Sequence, residues 1–572
     1  MQIRHLLIER FRGILKLDWS PDGSFISLIG PGDSCKSTIL DAIELALSPR
    51  WNLTFDDTDF YNSDHSECFR IVVTVGDLPD TLKSEQKYGL SVRGWSPASG
   101  LHDEPEDGDE LVLSIQLKVD SSLEPVWTVV NDRKLEKQIS ARDRETIGIA
   151  RLGVFQDRHL SWGRGSLLSR ITGKADELPG ILAQIGRDAR RALNPAGLTR
   201  CYDVANLVQG LGEDFGVLAK SDYRPGLDTT AVSVGIGGLA LHEGEIPLKK
   251  AGVGTKRLLS LAIQNDLIDE GAITLIDEVE HGLEPHRLRR LLNLLRQGPA
   301  TLEGGNAVHE FKPAQVILTT HSPVALAHLK AEELRVVRND SGRVEVICVS
   351  PDLQDTARSA SEAFLSRKVI VCEGKTELGF CWALDEWWAD KKQLPSFALL
   401  GVVPTTGGGS KKAPKAALDF AMLGFKTSLF ADSDDDLNPD RETLEKVGIN
   451  VFQWSDSVAI EEKIALDLPW QGLVEVLEMA VSIKGVDSVC DSVRASMRVT
   501  VAELDNDFTN WPAWTRRHEL RRAIGYTAKK NSWFKRPDFG QELGQIVCRH
   551  LDSIPGTELA QTINALRTWV EE

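Results

Sequence analysis

The chain has 572 residues, 84 acidic against 66 basic side chains and a net charge of −18, which excludes a protein that coats nucleic acid by bulk charge and confines phosphate contacts to local basic patches. Its eight cysteines include no C-x-x-C pair, so neither a zinc ribbon nor a disulfide framework is indicated, and a reducing cytoplasm fits. The opening MQIRHLLIERFRGIL is too polar for a secretory signal, no apolar run approaches a membrane span, and the length suggests about three or four structural units.

Residues 3–17 alternate in a way that predicts an edge strand and a turn around Phe11-Arg12-Gly13. A second strand, 25–29, runs into LIGPGDSCKSTILDAIELAL at 28–47, where an apolar strand, a glycine turn, a lysine and a helix follow one another. That order makes a phosphate cradle, with backbone amides aimed at phosphate oxygens, Lys36 as a point charge and Ser37 as a ligand for Mg²⁺. Gly30, Lys36 and Ser37 fit G-x-x-x-x-G-K-[ST], with Gly32 and Thr38 beside them. Cys35 stands where the second glycine belongs and would crowd a β-phosphate. Downstream, ECFRIVVTVGDLP, ELVLSIQLKVD and VWTVVND read as period-two strands of an antiparallel subdomain, with the acidic segment 102–110 as a solvated loop.

From Arg151 a strand ends in a polar turn that carries Gln156, which in an ATPase head would sense Mg²⁺ and a γ-phosphate and otherwise belongs to a capped turn. Residues 165–225 carry Leu, Ala, Arg and Asp at helical spacing, which predicts a helical insertion suited to packing or dimerisation. ITLIDEVEHGLEPH then gives an apolar strand ending in Asp277 and Glu278, placed to hold Mg²⁺ through water and to polarise an attacking water. VILTTHSP ends another strand near His321, in reach of a γ-phosphate, and KKAGVGTKRLLSLAIQ opens a helix at 252–256 around Gly254.

These elements, in this chain order, resemble an ABC-type ATPase head of the SMC, RecF and OLD kind, over residues 1 to about 350 and without long heptad arms. The resemblance implies ATP with one Mg²⁺, and a dimer in which Gly254 of one subunit closes on the nucleotide of another. Cys35, and Ala251 with no serine in the usual LSGGQ-like place, put fast turnover in doubt.

After a Ser, Asp and Ala-rich linker at 351–365 the pattern restarts with RKVIVCEGKTELGFCWAL, where a strand delivers Glu373 and Glu377 follows one helical turn later. TSLFADSDDD repeats the device with Asp432 and Asp434. In isolation DSDDD also reads as a solvated turn or a calcium-like loop; beside EGKTE it predicts acids converging at the rim of a parallel sheet. Such acids repel one another unless Mg²⁺ or Mn²⁺ neutralises them.

Together these motifs resemble the Toprim domain, and an ABC head followed by Toprim is the layout of the OLD family of ATP-dependent nucleases. The implied architecture is α/β. It comprises an ATPase lobe at 1–160, a helical dimerisation insertion at 161–235, a second lobe at 236–355, and a Toprim domain at 366–572 with a helical C-terminal part. The resemblance further implies two metals, roughly 3.5 to 4 Å apart, held by Glu373, Glu377, Asp432, Asp434 and a later glutamate. For the last, SVAIEEKIALDLP offers Glu461, preferred because it follows an apolar run, or Glu462; both also suit the first turn of a helix.

The family implies a C-terminal lysine that stabilises transition-state charge, here Lys535 or else Lys529. Both lie in the basic stretch 516–536, with Trp514, Tyr526, Trp533 and Phe534 interleaved or adjacent. That stretch reads as a DNA track or as an amphipathic helix with snorkelling cations. The loop 403–415, VPTTGGGSKKAPK, reads as flexible, with lysines able to touch DNA.

The function so implied is an ATP-regulated, metal-dependent DNA endonuclease or nickase, cytoplasmic, without membrane contact, and a homodimer or higher oligomer. OLD-like proteins serve in bacterial defence against phage, sometimes beside a helicase-like protein or a retron reverse transcriptase with its msDNA. A nucleotide-switched DNA clamp or sensor that does not cut is the alternative. A topoisomerase-like enzyme would need a tyrosine nucleophile, and only Tyr526 lies near the basic stretch.

Overall fold

The computed structural model describes residues 1–152, 240–266, 272–297 and 314–572, except 51, 85, 134 and 135, with isolated positions between 160 and 222. Gln156 and almost all of the expected insertion at 161–235 lie outside the described residues. The chain forms two compact units, one of residues 1–2, 47–49 and 140–316, the other of residues 3–46, 50–139 and 317–572.

The larger unit opens with β1 (Gln2–Phe11) and β2 (Ile14–Trp19), an antiparallel pair with Leu6 opposite Trp19 and Ile8 opposite Leu17. β3 (Phe25–Ile29) is an apolar run that leads through the glycine turn to α1 (Lys36–Leu47). β4 (Phe69–Gly76), β5 (Glu110–Val119) and β6 (Pro125–Val130) form the expected antiparallel subdomain, Phe69 facing Val119 and Ser114 facing Val130. The acidic segment before β5 is tied down, since Arg93 pairs with Asp103 at 2.8 Å and Arg4 with Glu110 at 2.7 Å.

In the smaller unit, β7 (Ile149–Leu152) runs parallel to β8 (Ile273–Ile276), with α2 (Val253–Asp266) in the same unit. Back in the larger unit, β9 (Leu334–Asp340) lies parallel to β3 and antiparallel to β10 (Arg343–Cys348), which lies parallel to β2. The strand order is therefore β3-β9-β10-β2-β1-β4-β5, a mixed sheet in an α/β fold. β1 is thus interior rather than an edge: Ile3, Leu6, Ile8 and Phe11 are all fully buried.

Residues 351–365 are not a linker. They form short helical turns that bury Leu353, Ala357 and Phe364, because the apolar residues scattered among the polar ones share one side. A four-stranded sheet follows, built from β11 (Lys368–Cys372), β12 (Val402–Thr406), β13 (Lys426–Phe430) and β14 (Asn450–Phe452). Its order is β12-β11-β13-β14 and every pairing is parallel. The runs VIVC and SLF have no polar alternation, as expected for strands covered on both faces.

Helix α3 (Lys375–Glu386) follows β11 and α4 (Ala413–Met422) follows β12. The stretch 403–415, expected as a flexible loop, is instead most of β12, a short glycine turn and the start of α4; Gly407 N–H donates to Cys372 O at 2.7 Å and Gly409 N–H to Glu373 O at 2.8 Å. Beyond the sheet come α5 (Ile460–Asp467), α6 (Arg517–Lys530) and α7 (Pro537–His550). They enclose a core that includes Phe380, Phe430, Trp454, Trp511, Trp533 and Phe534.

Candidate functional site

The register of the parallel sheet brings the acids together. Cys372 of β11 stands level with Phe430 of β13 and Thr406 of β12, so the residues after each strand emerge at one rim. Glu373, Asp432 and Asp434 each offer a carboxylate oxygen there, all within 4.8 Å of one another. Backbone contacts hold the arrangement: Asp432 N–H donates to Glu373 Oε2 at 3.0 Å, and Ile460 N–H at the start of α5 donates to Asp432 Oδ1 at 2.8 Å. Asp432 thereby caps the helix that carries the next two acids.

Glu377 and Glu461 are both buried, at 5% and 6% exposure, and the charge of each bears on Asp432. Glu377 also accepts from Gly374 N–H at 2.8 Å. Of the two glutamates on α5, Glu462 accepts from Ala459 N–H at 3.0 Å and lies 3.6 Å from Lys529, whereas Glu461 is turned into the protein beside Glu377.

Burial, followed by the charges of Glu377, Glu461 and Glu373, holds Asp432 well above the usual carboxylate range. Burial likewise raises Glu373 and Glu461, and it pushes Glu377 up to about 7. Hard oxygen donors that are buried, mutually repelling and preformed are the donor set a small divalent cation takes, so these residues fit Mg²⁺ or Mn²⁺.

Two lysines of the basic stretch reach this rim. Lys529 pairs with Asp434 at 2.5 Å. Lys535 is exposed, has no carboxylate within 4 Å among the described residues, and still acts electrostatically on Glu373 and Glu461. Its position follows from helix packing: Thr376 Oγ1 donates to Phe534 O at 3.1 Å, and a Cβ on Gly379 or Gly540 would run into the backbone of the facing helix, α7 or α3.

The rest of the basic stretch is less available to DNA than its sequence suggests. Trp533 and Phe534 are each 1% exposed and cannot stack on bases. Arg521 turns inward, donating to the carbonyls of Ala465, Leu466 and Leu468 at 2.8, 3.2 and 2.7 Å, where it closes the C-terminal end of α5. Arg516 pairs with Glu519 and Arg536 with Asp538. Tyr526 remains 46% exposed, with Lys530 over its ring.

At the glycine turn, Gly30 adopts φ +132°, and a Cβ there would lie 2.7 Å from Val337 O. Cys35 has φ +69°, the left-handed conformation that the glycine of the motif would take without strain. Its thiol is raised by burial and accepts from Asn339 Nδ2 at 3.3 Å. Lys36 Nζ is buried and turned back on its own turn, donating to Gly30 O at 3.2 Å, Pro31 O at 2.7 Å and Ser34 Oγ at 3.0 Å. Ser37 and Gly32 are exposed, and Thr38 is half-buried. His321 is exposed beyond the strand Gln315–Thr319, next to Ser322, whose hydroxyl accepts from Ala325 N–H at the head of the following helix.

Within the smaller unit, Arg151 reaches Asp277 at 3.2 Å, and Arg257 donates to the carbonyls of Asp277 and Glu278 at 2.9 and 2.6 Å. Glu278 adopts φ +44° and lies 3.7 Å from His281. Gly254 sits against the Gly282 carbonyl, which leaves no room for a side chain.

Residues 48–327 match the family model described as "AAA domain, putative AbiEii toxin, Type IV TA system". The chain thus carries an ATPase-type domain, and the matched range holds Asp277, Glu278 and His321 but begins after the glycine turn. No curated protein matches the chain. Among solved structures it is similar to an SMC head bound to the C-winged helix domain of ScpA, at 13% identity over 61% of this chain and 97% of that one, with a TM-score of 0.31. It is also similar to the SMC head domain from Thermotoga maritima (13% identity, 61% and 100% covered, TM-score 0.27). A third is the recombination mediator RecF with ATPrS (12% identity, 60% and 98% covered, TM-score 0.30). No described helix is long and apolar enough to cross a membrane.

Proposed function

We propose that this protein is an ATP-regulated, divalent-metal-dependent DNA endonuclease or nickase whose cutting site is the carboxylate rim of its C-terminal parallel sheet, a Toprim-like centre. The observation that carries the reading is the convergence of Glu373, Asp432 and Asp434 within 4.8 Å, with buried Glu377 and Glu461 beside them. These five residues would hold the metal ions. Bound there, Mg²⁺ or Mn²⁺ would supply an activated water and neutralise charge at the phosphodiester. The chain's own part is to keep the acids fixed: backbone amides of Asp432 and Ile460 orient Glu373 and Asp432, and the α3–α7 packing brings Lys535 to the same rim to take a DNA phosphate.

ATP binds, in this reading, at Gly30, Gly32, Lys36, Ser37 and Thr38, with His321 of the same unit for the γ-phosphate; Gly254 serves the nucleotide of a partner subunit. Regulation follows from the ATPase-type domain, and the toxin description of the matching family is in keeping with growth arrest or anti-phage defence. A DNA clamp that does not cut is the second reading, favoured by the Lys529–Asp434 pair, which occupies one acid with a protein cation.

The deciding experiment is supercoiled-plasmid cleavage in Mg²⁺ or Mn²⁺ by wild type, Asp432→Ala and Lys36→Ala, each with and without ATP. The endonuclease reading expects metal-dependent nicking that Asp432→Ala abolishes and that Lys36→Ala uncouples from ATP. Nicking that persists in Asp432→Ala excludes this site, and DNA binding without nicking in every condition favours the clamp.

A further inference from the structure

The glycine turn and the carboxylate rim lie in the same compact unit, and β9 touches the structure behind each. On one side, β9 runs parallel to β3 with Val336 level with Ile29, its Val337 carbonyl lies against Gly30, and Asn339 donates to the Cys35 thiol at 3.3 Å. On the other, Arg338 donates from Nε to Leu423 O at 3.1 Å, and its guanidinium carbon lies 3.7 Å from the centre of the Phe425 ring. A Cβ on Gly424 would be 3.3 Å from the Arg338 Cγ. Arg338 thus grips the whole Leu423-Gly424-Phe425 turn, and its buried Nη2 has no hydrogen-bond partner among the described residues.

That turn joins α4 to β13, and both of these reach the rim at their other ends. β13 runs directly into Asp432 and Asp434. α4 begins after the glycine turn that bonds Cys372 O and Glu373 O. A shift of the 423–425 turn therefore acts on two of the segments that set the carboxylate spacing.

Resting on the function proposed above, we propose that Arg338 is a positioning residue that transmits nucleotide occupancy from the glycine turn to the carboxylate rim. The driving event is local. Lys36 is spent on Gly30 O, Pro31 O and Ser34 Oγ, so taking up phosphates requires the turn to release it and move. Cys35 and Gly30 cannot move without disturbing Asn339 and Val337, the two neighbours of Arg338. Arg338 then shifts its hold on the 423–425 turn. Packed elements of this kind pass a displacement on rather than absorb it.

The test is hydrogen exchange of the full chain at constant, saturating Mg²⁺, with and without a non-hydrolysable ATP analogue, read on the amides of residues 423–432. Wild type is compared with Arg338→Met and with Phe425→Leu, which removes the aromatic face while keeping an apolar side chain should the first variant fold poorly. We expect the analogue to change exchange in this segment about fivefold or more in wild type, within the range of ordinary coupling energies. Either variant should lose that change while binding the analogue as wild type does. An unchanged response in both variants, or no response in wild type, overturns the proposal. Because the readout needs no cleavage, it separates failure of this route from failure of the nuclease reading, which the plasmid assay decides.

Discussion

Lys36 and the acids of the rim are both buried charges, yet they are satisfied to different degrees. Among the described residues Lys36 donates to Gly30 O, Pro31 O and Ser34 Oγ of its own turn, and these contacts must be released for the lysine to meet a ligand. Glu373, Glu377, Asp432 and Glu461 are already in place, and what raises their proton affinity is burial and one another's charge. In one region the lysine is already engaged by its own turn, and in the other the acids lack a counter-charge. Metal should accordingly stabilise the rim with little rearrangement, whereas nucleotide must first break protein contacts.

The sharpest break in that comparison comes from Asp432→Ala. It removes an acid that also caps α5, and cleavage should fall by about 100-fold or more, measured as nicking rate at saturating Mn²⁺. Lys36→Ala should leave Mn²⁺ binding at the rim unchanged, which calorimetry on both variants checks. Lys535→Ala should lower the nicking rate by about 10- to 100-fold with unchanged Mn²⁺ affinity. The matching Lys529→Ala should instead alter Mn²⁺ affinity, because Lys529 is already bound to Asp434.

Thermal unfolding tests the charge deficit itself. Glu377 titrates near 7 in the metal-free fold against an ordinary value of 4.5, so the folded state holds its proton more tightly than the unfolded chain. The sign follows: metal-free stability from this group falls as pH rises from about 4.5 to about 7, while stabilisation by Mn²⁺ grows over the same interval because binding needs the ionised acids. At 100 times its dissociation constant Mn²⁺ should add about 2.7 kcal/mol, and Asp432→Asn should remove most of that gain. The smallest effect concerns the turn. Cys35→Gly relieves a left-handed side chain and should stabilise the protein by about 1 kcal/mol, read by denaturant unfolding, and it should quicken ATP hydrolysis if the thiol crowds the phosphate.

The strand-end acids were legible because VIVC and LFA are unbroken apolar runs with a carboxylate just past the end, a local signal that needs no partner strand. The antiparallel subdomain was legible for the same reason, through its period of two. Residues whose roles depend on distant partners were not. Arg521 looked like a DNA contact until its three acceptors 53 to 56 residues away were known, and Trp533 and Phe534 looked like stacking platforms although the core takes them. Arg338 gave no signal at all, since its partner turn lies 85 residues on. β1 was misread as an edge because alternation reports which face is buried and says nothing of which strands lie alongside. The apparent linker at 351–365 hid its few apolar residues among polar ones.

Single-turnover nicking of supercoiled plasmid as a function of Mn²⁺, beside Mn²⁺ binding followed by electron paramagnetic resonance, tests the central claim most directly. The account predicts that nicking by wild type rises over the concentrations at which the rim fills, and that Asp432→Ala loses both signals together. Mn²⁺ bound at the rim with no nicking in any nucleotide state, or nicking that survives in Asp432→Ala, would contradict it.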